Sequence, residues 1–412
     1  MKYGCIGEHL KHSFSKEIHN ALADYEYEIK EIPKDELDAF MVKRDFLAIN
    51  VTIPYKELVI PHLYYIDEFA KEIGAVNTIV NRDGRLYGYN TDFYGMRALI
   101  AHAGVSISGK KVAILGTGGT SKTARAAARS LLAREILVVS RKPREGIISY
   151  EDLYEKHTDT EVIINTTPVG MYPDGFALCC DISRFSSLSG AIDAIYNPLR
   201  TPFISASLGK GIAAEGGLYM LVAQAVRASE IFLDTSYPEG TLENVFKKII
   251  EQKENIVLIG MPASGKSTVG KILSEKLGRV FIDTDELIVK NADMTIPEIF
   301  KQKGEKIFRD MESEAVFEAS LSTCAVIATG GGAVLREENL KALKENGRVY
   351  FIDRPLDALV PTIDRPLSSD RASIEKRYRE RYGIYTSSCD RIISAEVDAL
   401  GVADRILKDF LK

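Results

Sequence analysis

Asn255-Ile256-Val257-Leu258-Ile259-Gly260-Met261-Pro262-Ala263-Ser264-Gly265-Lys266-Ser267-Thr268 carries a strand, a glycine loop and the first turn of a helix without a break. The run ending at Ile259 is almost wholly apolar, as in a parallel strand covered on both faces. Gly260 to Ser267 is a full GxxxxGK[ST] pattern. Set between strand and helix, its backbone N–H groups form an anion nest. Lys266 is spaced to reach the outer phosphates of a nucleotide, and Ser267 offers a hydroxyl to Mg²⁺. The helix is expected from Lys266 to about Leu277. The pattern alone leaves GTPases, ATPases and small-molecule kinases open.

A second strand–glycine–helix unit lies upstream. Lys111-Val112-Ala113-Ile114-Leu115 leads into Gly116-Thr117-Gly118-Gly119-Thr120-Ser121, then a small-residue helix from Thr120 to Ala133 and a strand from Ile136 to Ser140. That βαβ order implies a parallel, doubly wound sheet. A dinucleotide pyrophosphate would rest on the helix N–H groups at such a turn, although a plain tight turn also selects glycine. The next strand end is more decisive. An NAD enzyme usually places a carboxylate there for the ribose 2′-hydroxyl. Ser140-Arg141-Lys142 offers two cations and no carboxylate, which suits the 2′-phosphate of NADP(H).

Composition excludes several other classes. The chain has 412 residues, 45% hydrophobic and 27% charged, with a formal net charge of -5. That balance is ordinary for a globular protein. It argues against nucleic acid as a partner, which would usually call for a basic excess. No apolar run approaches the roughly 18 residues of a membrane span. Met1-Lys2-Tyr3-Gly4-Cys5-Ile6-Gly7 reads as a strand entering a turn, not as a targeting segment. Five scattered cysteines without a CxxC pair suit a reducing cytoplasm. The histidines show no metal-ligand spacing. A long helix is expected at Leu218 to Leu233 and another at about Leu242 to Glu251. The charged stretch Glu251-Gln252-Lys253-Glu254 is the best boundary and is too short for a flexible tether.

Two polar motifs precede the glycine turn at Gly116. Asn50-Val51-Thr52-Ile53-Pro54-Tyr55-Lys56 and Gly88-Tyr89-Asn90-Thr91-Asp92 set amides, hydroxyls and charges at strand ends. Lys56 and Asp92 in one pocket make a proton-transfer pair, the carboxylate holding the ammonium. A surface ion pair would use the same two residue types.

These segments resemble shikimate dehydrogenase over residues 1–250. His12-Ser13-Phe14-Ser15-Lys16-Glu17-Ile18-His19-Asn20 is similar to the family's HSxSPxxHN signature, with Lys16 where proline is usual. Gly74-Ala75-Val76-Asn77-Thr78 matches GAxNT. Asn165-Thr166-Thr167-Pro168-Val169-Gly170-Met171, Asp193-Ala194-Ile195-Tyr196-Asn197-Pro198 and Gly217-Leu218-Tyr219-Met220-Leu221-Val222-Ala223-Gln224-Ala225 match two further loops and a helix. The resemblance implies hydride delivery from NADPH to the ketone of 3-dehydroshikimate, with Lys56 and Asp92 catalytic. It gives substrate contacts to Ser13, Ser15, Thr52, Asn77, Tyr196 and Gln224. Gly116, Gly118, Gly119, Thr120, Ser121, Ser140, Arg141, Lys142, Thr166 and Gly217 would line the NADP site.

Residues 255–412 resemble shikimate kinase. Asp283-Thr284-Asp285 follows a strand expected at Arg279 to Ile282, Phe308-Arg309 precedes Glu312 at helical spacing, and Gly330-Gly331-Gly332 follows a third strand. DxD, FRxxE and GGG stand in that family's order. The resemblance implies ATP at Gly260, Ala263, Ser264, Gly265, Lys266, Ser267 and Thr268, with Mg²⁺ on Ser267 and Asp283. Asp285, Arg309, Gly331, Gly332 and Arg381 would hold shikimate, and Arg365 of Asp364-Arg365-Pro366-Leu367 would contact the transferring phosphoryl group. Lys266, Asp285 and Arg365 are then catalytic. The family's adenine-packing arginine has no counterpart in Leu359-Val360-Pro361-Thr362-Ile363, and the lid is short.

The expected fold is therefore α/β throughout. An N-terminal α/β substrate domain and a Rossmann-type NADP domain are followed by a P-loop domain like the nucleoside-monophosphate kinases. Residues 1–253 are expected to be the dehydrogenase, with 1–104 plus about 225–250 holding substrate and 105–224 holding NADP. Residues 254–412 are expected to be the kinase. The expected function is bifunctional, making shikimate and then consuming it. The alternatives are a quinate-type dehydrogenase joined to another small-molecule kinase, or one half kept as a ligand sensor.

Overall fold

The computed structural model describes residues 1–8, 10, 14–172, 175–360 and 370–411. The chain divides into two compact units, Met1–Ile249 and Ile250–Lys412.

The first unit holds two sheets. Strands β1 (Tyr3–Gly7), β2 (Tyr27–Glu31), β3 (Ala48–Val51), β4 (Tyr65–Ile66), β5 (Thr78–Arg82) and β6 (Arg85–Tyr89) build a mixed sheet of order β2-β1-β3-β5-β6-β4. β1 pairs in parallel with β2 and β3, while β5 runs antiparallel to β3 and β6. Strands β7 (Lys111–Leu115), β8 (Glu135–Val139), β9 (Val162–Asn165), β10 (Gly190–Asp193) and β11 (Ala213–Glu215) are all parallel, in the order β11-β10-β9-β7-β8. β7 and β9 are wholly buried, which explains their unbroken apolar runs. The winding reverses between β7 and β9, and ligands bind beyond the strand ends at such a reversal.

The helix Leu218–Leu233 packs beside the helix Thr91–His102 and serves both sheets, with Tyr219 and Met220 in the core on the parallel sheet and Ala228 and Phe232 packed with Cys5, Tyr27 and Val80 of the mixed one. Gly95 lets the two helices approach, because a Cβ there would lie 2.6 Å from the Met220 carbonyl oxygen. The first helix of the parallel sheet ends at Ser130, short of the expected Ala133. The chain turns out of helical conformation at Leu132, with φ 61°.

The second unit is a parallel sheet of β12 (Asn255–Ile259), β13 (Val280–Asp283), β14 (Ala325–Ala328), β15 (Gly347–Asp353) and β16 (Arg391–Ser394), in the order β13-β14-β12-β15-β16. Its central strand β12 ends in the GxxxxGK[ST] loop, and the helix Lys266–Leu277 follows as expected. The stretch read as a connector is not a loop. The helix Thr241–Lys253 runs through it, and β12 starts at Asn255. No helix among the described residues is long and apolar enough to cross a membrane.

Candidate active sites

A cavity of about 800 Å³ opens at the ends of β3 and β5. Ser15, Thr52, Lys56, Asn77, Asp92, Tyr196 and Gln224 all line it. Ser13, expected among them, lies outside the described residues. Lys56 Nζ donates to Asp92 Oδ2 at 2.6 Å. Asp92 sits in the first turn of the helix Thr91–His102, where the helix dipole favours a carboxylate. Asn90 caps that helix, accepting from Phe93 N–H, and its amide donates to the Ala75 carbonyl. The Asp92 end of the ion pair is therefore fixed.

Asn77 is fixed as tightly. Its Oδ1 accepts from Thr91 N–H at 2.7 Å and its Nδ2 donates to Thr91 Oγ1 at 3.0 Å. Thr91 Oγ1 in turn lies 3.4 Å from its acceptor, Gln224 Oε1. Asn50 also lines the cavity but was not among the expected contacts. Tyr27 Oη donates to its Oδ1 at 2.7 Å, and His19 stacks on the Tyr27 ring at 3.9 Å. No local pattern reveals this network, because parallel pairing of β1 with β2 and β3 assembles it.

Burial pushes the His19 imidazole down to about 3 from its ordinary 6.5. Between those values the unfolded chain binds a proton that the native state does not, so stability falls as pH drops through the window. Asp193, pushed up to about 7 by burial, titrates with the opposite sign between 3.8 and 7. The difference between wild type and His19→Gln isolates the histidine. Hydrogen exchange of peptides from residues 1–249 should show a steeper acid loss of protection in wild type. Equal slopes would contradict a buried neutral ring.

The glycine turn after β7 leaves room for a ligand. Nothing lies within 4 Å of a Cβ built on Gly118 or Gly119, at the start of the helix Gly119–Ser130. Gly116 has φ 108°, and a Cβ there would meet Thr166 Oγ1 at 2.8 Å, so the two strand ends flanking the reversal touch. Thr120 is half-buried, while Ser121 faces the core. Arg141 and Lys142 are exposed just beyond β8, where Ser140 Oγ accepts from the Lys142 N–H. Gly217 is required for packing, since a Cβ would lie 2.2 Å from the Ala194 carbonyl oxygen. Asp193 stands behind the adjacent loop. It accepts from Asn165 Nδ2 at 3.0 Å, and Asn165 Oδ1 accepts from Thr167 Oγ1 at 2.7 Å.

In the second unit Ala263 and Gly265 take left-handed conformations, φ 64° and 95°. Lys266 Nζ donates to the Gly260 and Met261 carbonyls at 3.0 and 2.9 Å. The Ser264 hydroxyl is buried with no hydrogen-bond partner, as fits a loop shaped for a phosphate oxygen. Thr268 is exposed one residue past Ser267. Ser267 Oγ donates to Asp283 Oδ2 at 2.6 Å, and Asp285 N–H donates to Asp283 Oδ1 at 2.9 Å. Ser267 and Asp283 are hard oxygen donors that fit Mg²⁺. Among the described residues no group of three or more His, Cys, Asp or Glu could hold a metal. The ion would therefore complete its shell with phosphate and water, as Mg²⁺ commonly does.

The three glycines form a thin wall on the acceptor side. A Cβ on Gly330 would lie 2.6 Å from Asp285 Oδ1, and one on Gly332 would overlap the Arg309 guanidinium. Gly331 O accepts from Arg381 Nη1 at 3.0 Å. Arg309 Nη1 donates to Glu312 Oε2 at 2.6 Å. Burial raises the Glu312 carboxyl, and Arg309 opposes the shift. Asp285, Arg309 and Arg381 thus converge on one wall. Arg365 lies outside the described residues.

A Rossmann-type sheet beside a polar cavity with a lysine–aspartate pair defines the first unit as dehydrogenase-like. The phosphate loop, the DxD carboxylates and the arginine wall define the second as a small-molecule kinase fold. Comparison with known proteins agrees. The family profile described as the shikimate dehydrogenase substrate binding domain matches residues 5–79, and that of shikimate kinase matches residues 262–410. The chain is 36% identical over 265 residues to a shikimate dehydrogenase (NADP(+)) of Clostridium perfringens, covering 60% of this chain and 97% of that protein. It is 42% identical over 164 residues to a shikimate kinase of Clostridium botulinum, covering 39% of this chain and 96% of the relative. A crystal structure of a chorismate mutase/shikimate 5-dehydrogenase fusion protein from Clostridium acetobutylicum superposes with a TM-score of 0.57 at 35% identity, covering 60% of this chain and 97% of that one. The chain belongs to the shikimate dehydrogenase family in its first part and to the shikimate kinase family in its second.

Proposed function

We propose that the chain reduces 3-dehydroshikimate to shikimate with NADPH and then phosphorylates shikimate at its 3-hydroxyl with ATP. The observation that carries this reading is that the two families share one metabolite in name, and that in each unit the expected polar residues within the described stretches come together. The partition proposed is 1–104 with about 225–250 for substrate, 105–224 for NADP(H), and 254–412 for the kinase.

NADPH supplies hydride to the ketone carbon, leaving negative charge on its oxygen. Lys56 gives that oxygen a proton, and Asp92 holds the ammonium in place and stabilises it until transfer. Asn77 and Gln224, fixed through Thr91, orient the ring hydroxyls, while Ser13, Ser15, Thr52 and Tyr196 complete the substrate contacts. In the kinase, Lys266 and the loop amides hold the phosphates, and Mg²⁺ on Ser267 and Asp283 would neutralise them. Asp285 orients the acceptor hydroxyl and takes up its proton. Arg309 and Arg381 pair with the shikimate carboxylate, and Arg365 reaches the transferring phosphoryl group.

One assay tests the whole reading: 3-dehydroshikimate, NADPH, ATP and Mg²⁺, scored for shikimate 3-phosphate. Turnover of quinate in preference to shikimate by the first unit, or no phosphorylated product, would overturn it.

Cofactor choice is a separate expectation. Hydrogen bonds to charged groups contribute about 1.5–3 kcal/mol each. With Arg141 and Lys142 on the 2′-phosphate, NADPH should exceed NADH in kcat/KM by at least about tenfold. Arg141→Ala should shrink that ratio, and equal use of both cofactors by wild type would refute the assignment.

A further inference from the structure

We propose that Arg354 is a further phosphate-binding residue of the kinase unit, reaching the nucleotide from the β15 side of the loop. The inference deepens the ATP-dependent reading above and rests on it. Arg354 follows directly on β15, which pairs with β12 through Ile259 and Phe351. That register brings the end of β15 against the phosphate loop, since a Cβ on Gly260 would lie 2.9 Å from the Ile352 carbonyl oxygen. The Arg354 guanidinium then lies over the loop, with Nη1 3.7 Å from a Cβ built on Gly265.

Two observations mark it as more than a surface cation. Its Nε is buried and has no hydrogen-bond partner. The carboxylate nearest in sequence, Asp353, accepts from Tyr382 Oη at 3.0 Å, and Asp357 pairs with Arg371. The second observation is electrostatic. Gly265 caps the helix Lys266–Leu277, so the guanidinium stands beside a positive helix end. A half-buried guanidinium beside a positive helix end, with its Nε unpartnered, is unfavourable in the free protein. A nucleotide phosphate settled in the loop removes that imbalance, and a guanidinium suits phosphate geometry. The position also matters because Leu359-Val360-Pro361-Thr362-Ile363 carries no arginine. Arg354 gives this chain a nucleotide contact from a different place, directed at phosphate and not at the base.

The test uses the full chain with Arg354→Met and Arg354→Lys, and the thermal unfolding of the kinase unit as the check on folding. Binding of Mg-ATP, inorganic tripolyphosphate with Mg²⁺, and adenosine is measured by calorimetry, with the KM for shikimate. One lost charged hydrogen bond corresponds to about ten- to hundredfold in affinity. Arg354→Met should weaken Mg-ATP and tripolyphosphate by the same factor in that range. Adenosine binding and the shikimate KM should stay unchanged, and Arg354→Lys should recover part of the loss. Unchanged Mg-ATP affinity overturns the proposal. So does a loss confined to ATP and adenosine, which would move the guanidinium to the base. If wild type itself fails to bind Mg-ATP, the kinase reading fails and not the placement of Arg354.

Discussion

Lys56→Ala should lower NADPH oxidation with 3-dehydroshikimate by about 10²–10⁴-fold, the range that a positioned acid or base contributes. Phosphorylation of supplied shikimate should stay at the wild-type rate. The physical ground is the 2.6 Å contact to Asp92 inside a cavity that also holds Asn77 and Gln224. Removing the ammonium takes away the single cationic proton donor among the described residues that line the cavity. It also leaves Asp92 as an uncompensated carboxylate beside a developing negative charge, which raises the barrier further. A structural ion pair predicts a different outcome, with thermal stability falling and turnover persisting. Lys56→Arg separates the two. Arginine can keep the pair but does not release its proton near neutral pH. It should preserve folding and substrate binding while kcat stays low. A fully active arginine variant would show that only the charge at residue 56 matters.

The parts of the structure legible in the sequence are those written by local chemistry. The helix Lys266–Leu277 is bounded by the loop before it and by Gly278, whose φ of 63° ends it. The helix Leu218–Leu233 has the expected bounds because its apolar stripe is long and unbroken. The polar motifs make Lys56 and Asp92 candidates for a pair, but at 36 residues apart only the resemblance separates a catalytic pair from a surface ion pair. The groups that were missed depend on strand order. Asn50 meets Tyr27, and Tyr27 meets His19, because β1 lies between β2 and β3. Asp193 reaches Asn165 because β10 lies beside β9. Arg354 looks like any loop arginine until β15 is set beside β12. A helix kink at Gly304, with φ 81°, interrupts the stretch Ile296–Ser320 that carries Arg309 and Glu312. The sequence shows several of these residues within its motifs but not the contacts between them, which strand order creates.

Asp285→Ala should lower shikimate phosphorylation by about 10²–10⁴-fold, again the scale of a positioned base, and leave the dehydrogenase intact. Phosphoryl transfer depends on holding the acceptor oxygen in line with the γ-phosphate and on charge stabilisation. Asp285 stands in the first turn of the helix Thr284–Ala292, against the glycine wall that bears Arg309 and Arg381. Mg-ATP affinity should not change, because Lys266, the loop amides and the Ser267–Asp283 pair remain. A matching loss of nucleotide affinity would instead assign Asp285 to the metal. The two alanine variants also test how the activities are coupled. Neither alone should convert 3-dehydroshikimate to shikimate 3-phosphate at the wild-type rate. Mixed, they should restore conversion, because shikimate released by the Asp285→Ala chain can be phosphorylated by the Lys56→Ala chain. A lag that shortens as protein concentration rises would mark free shikimate as the intermediate. Failure of the mixture, with each remaining activity intact, would mean that shikimate passes only within one chain.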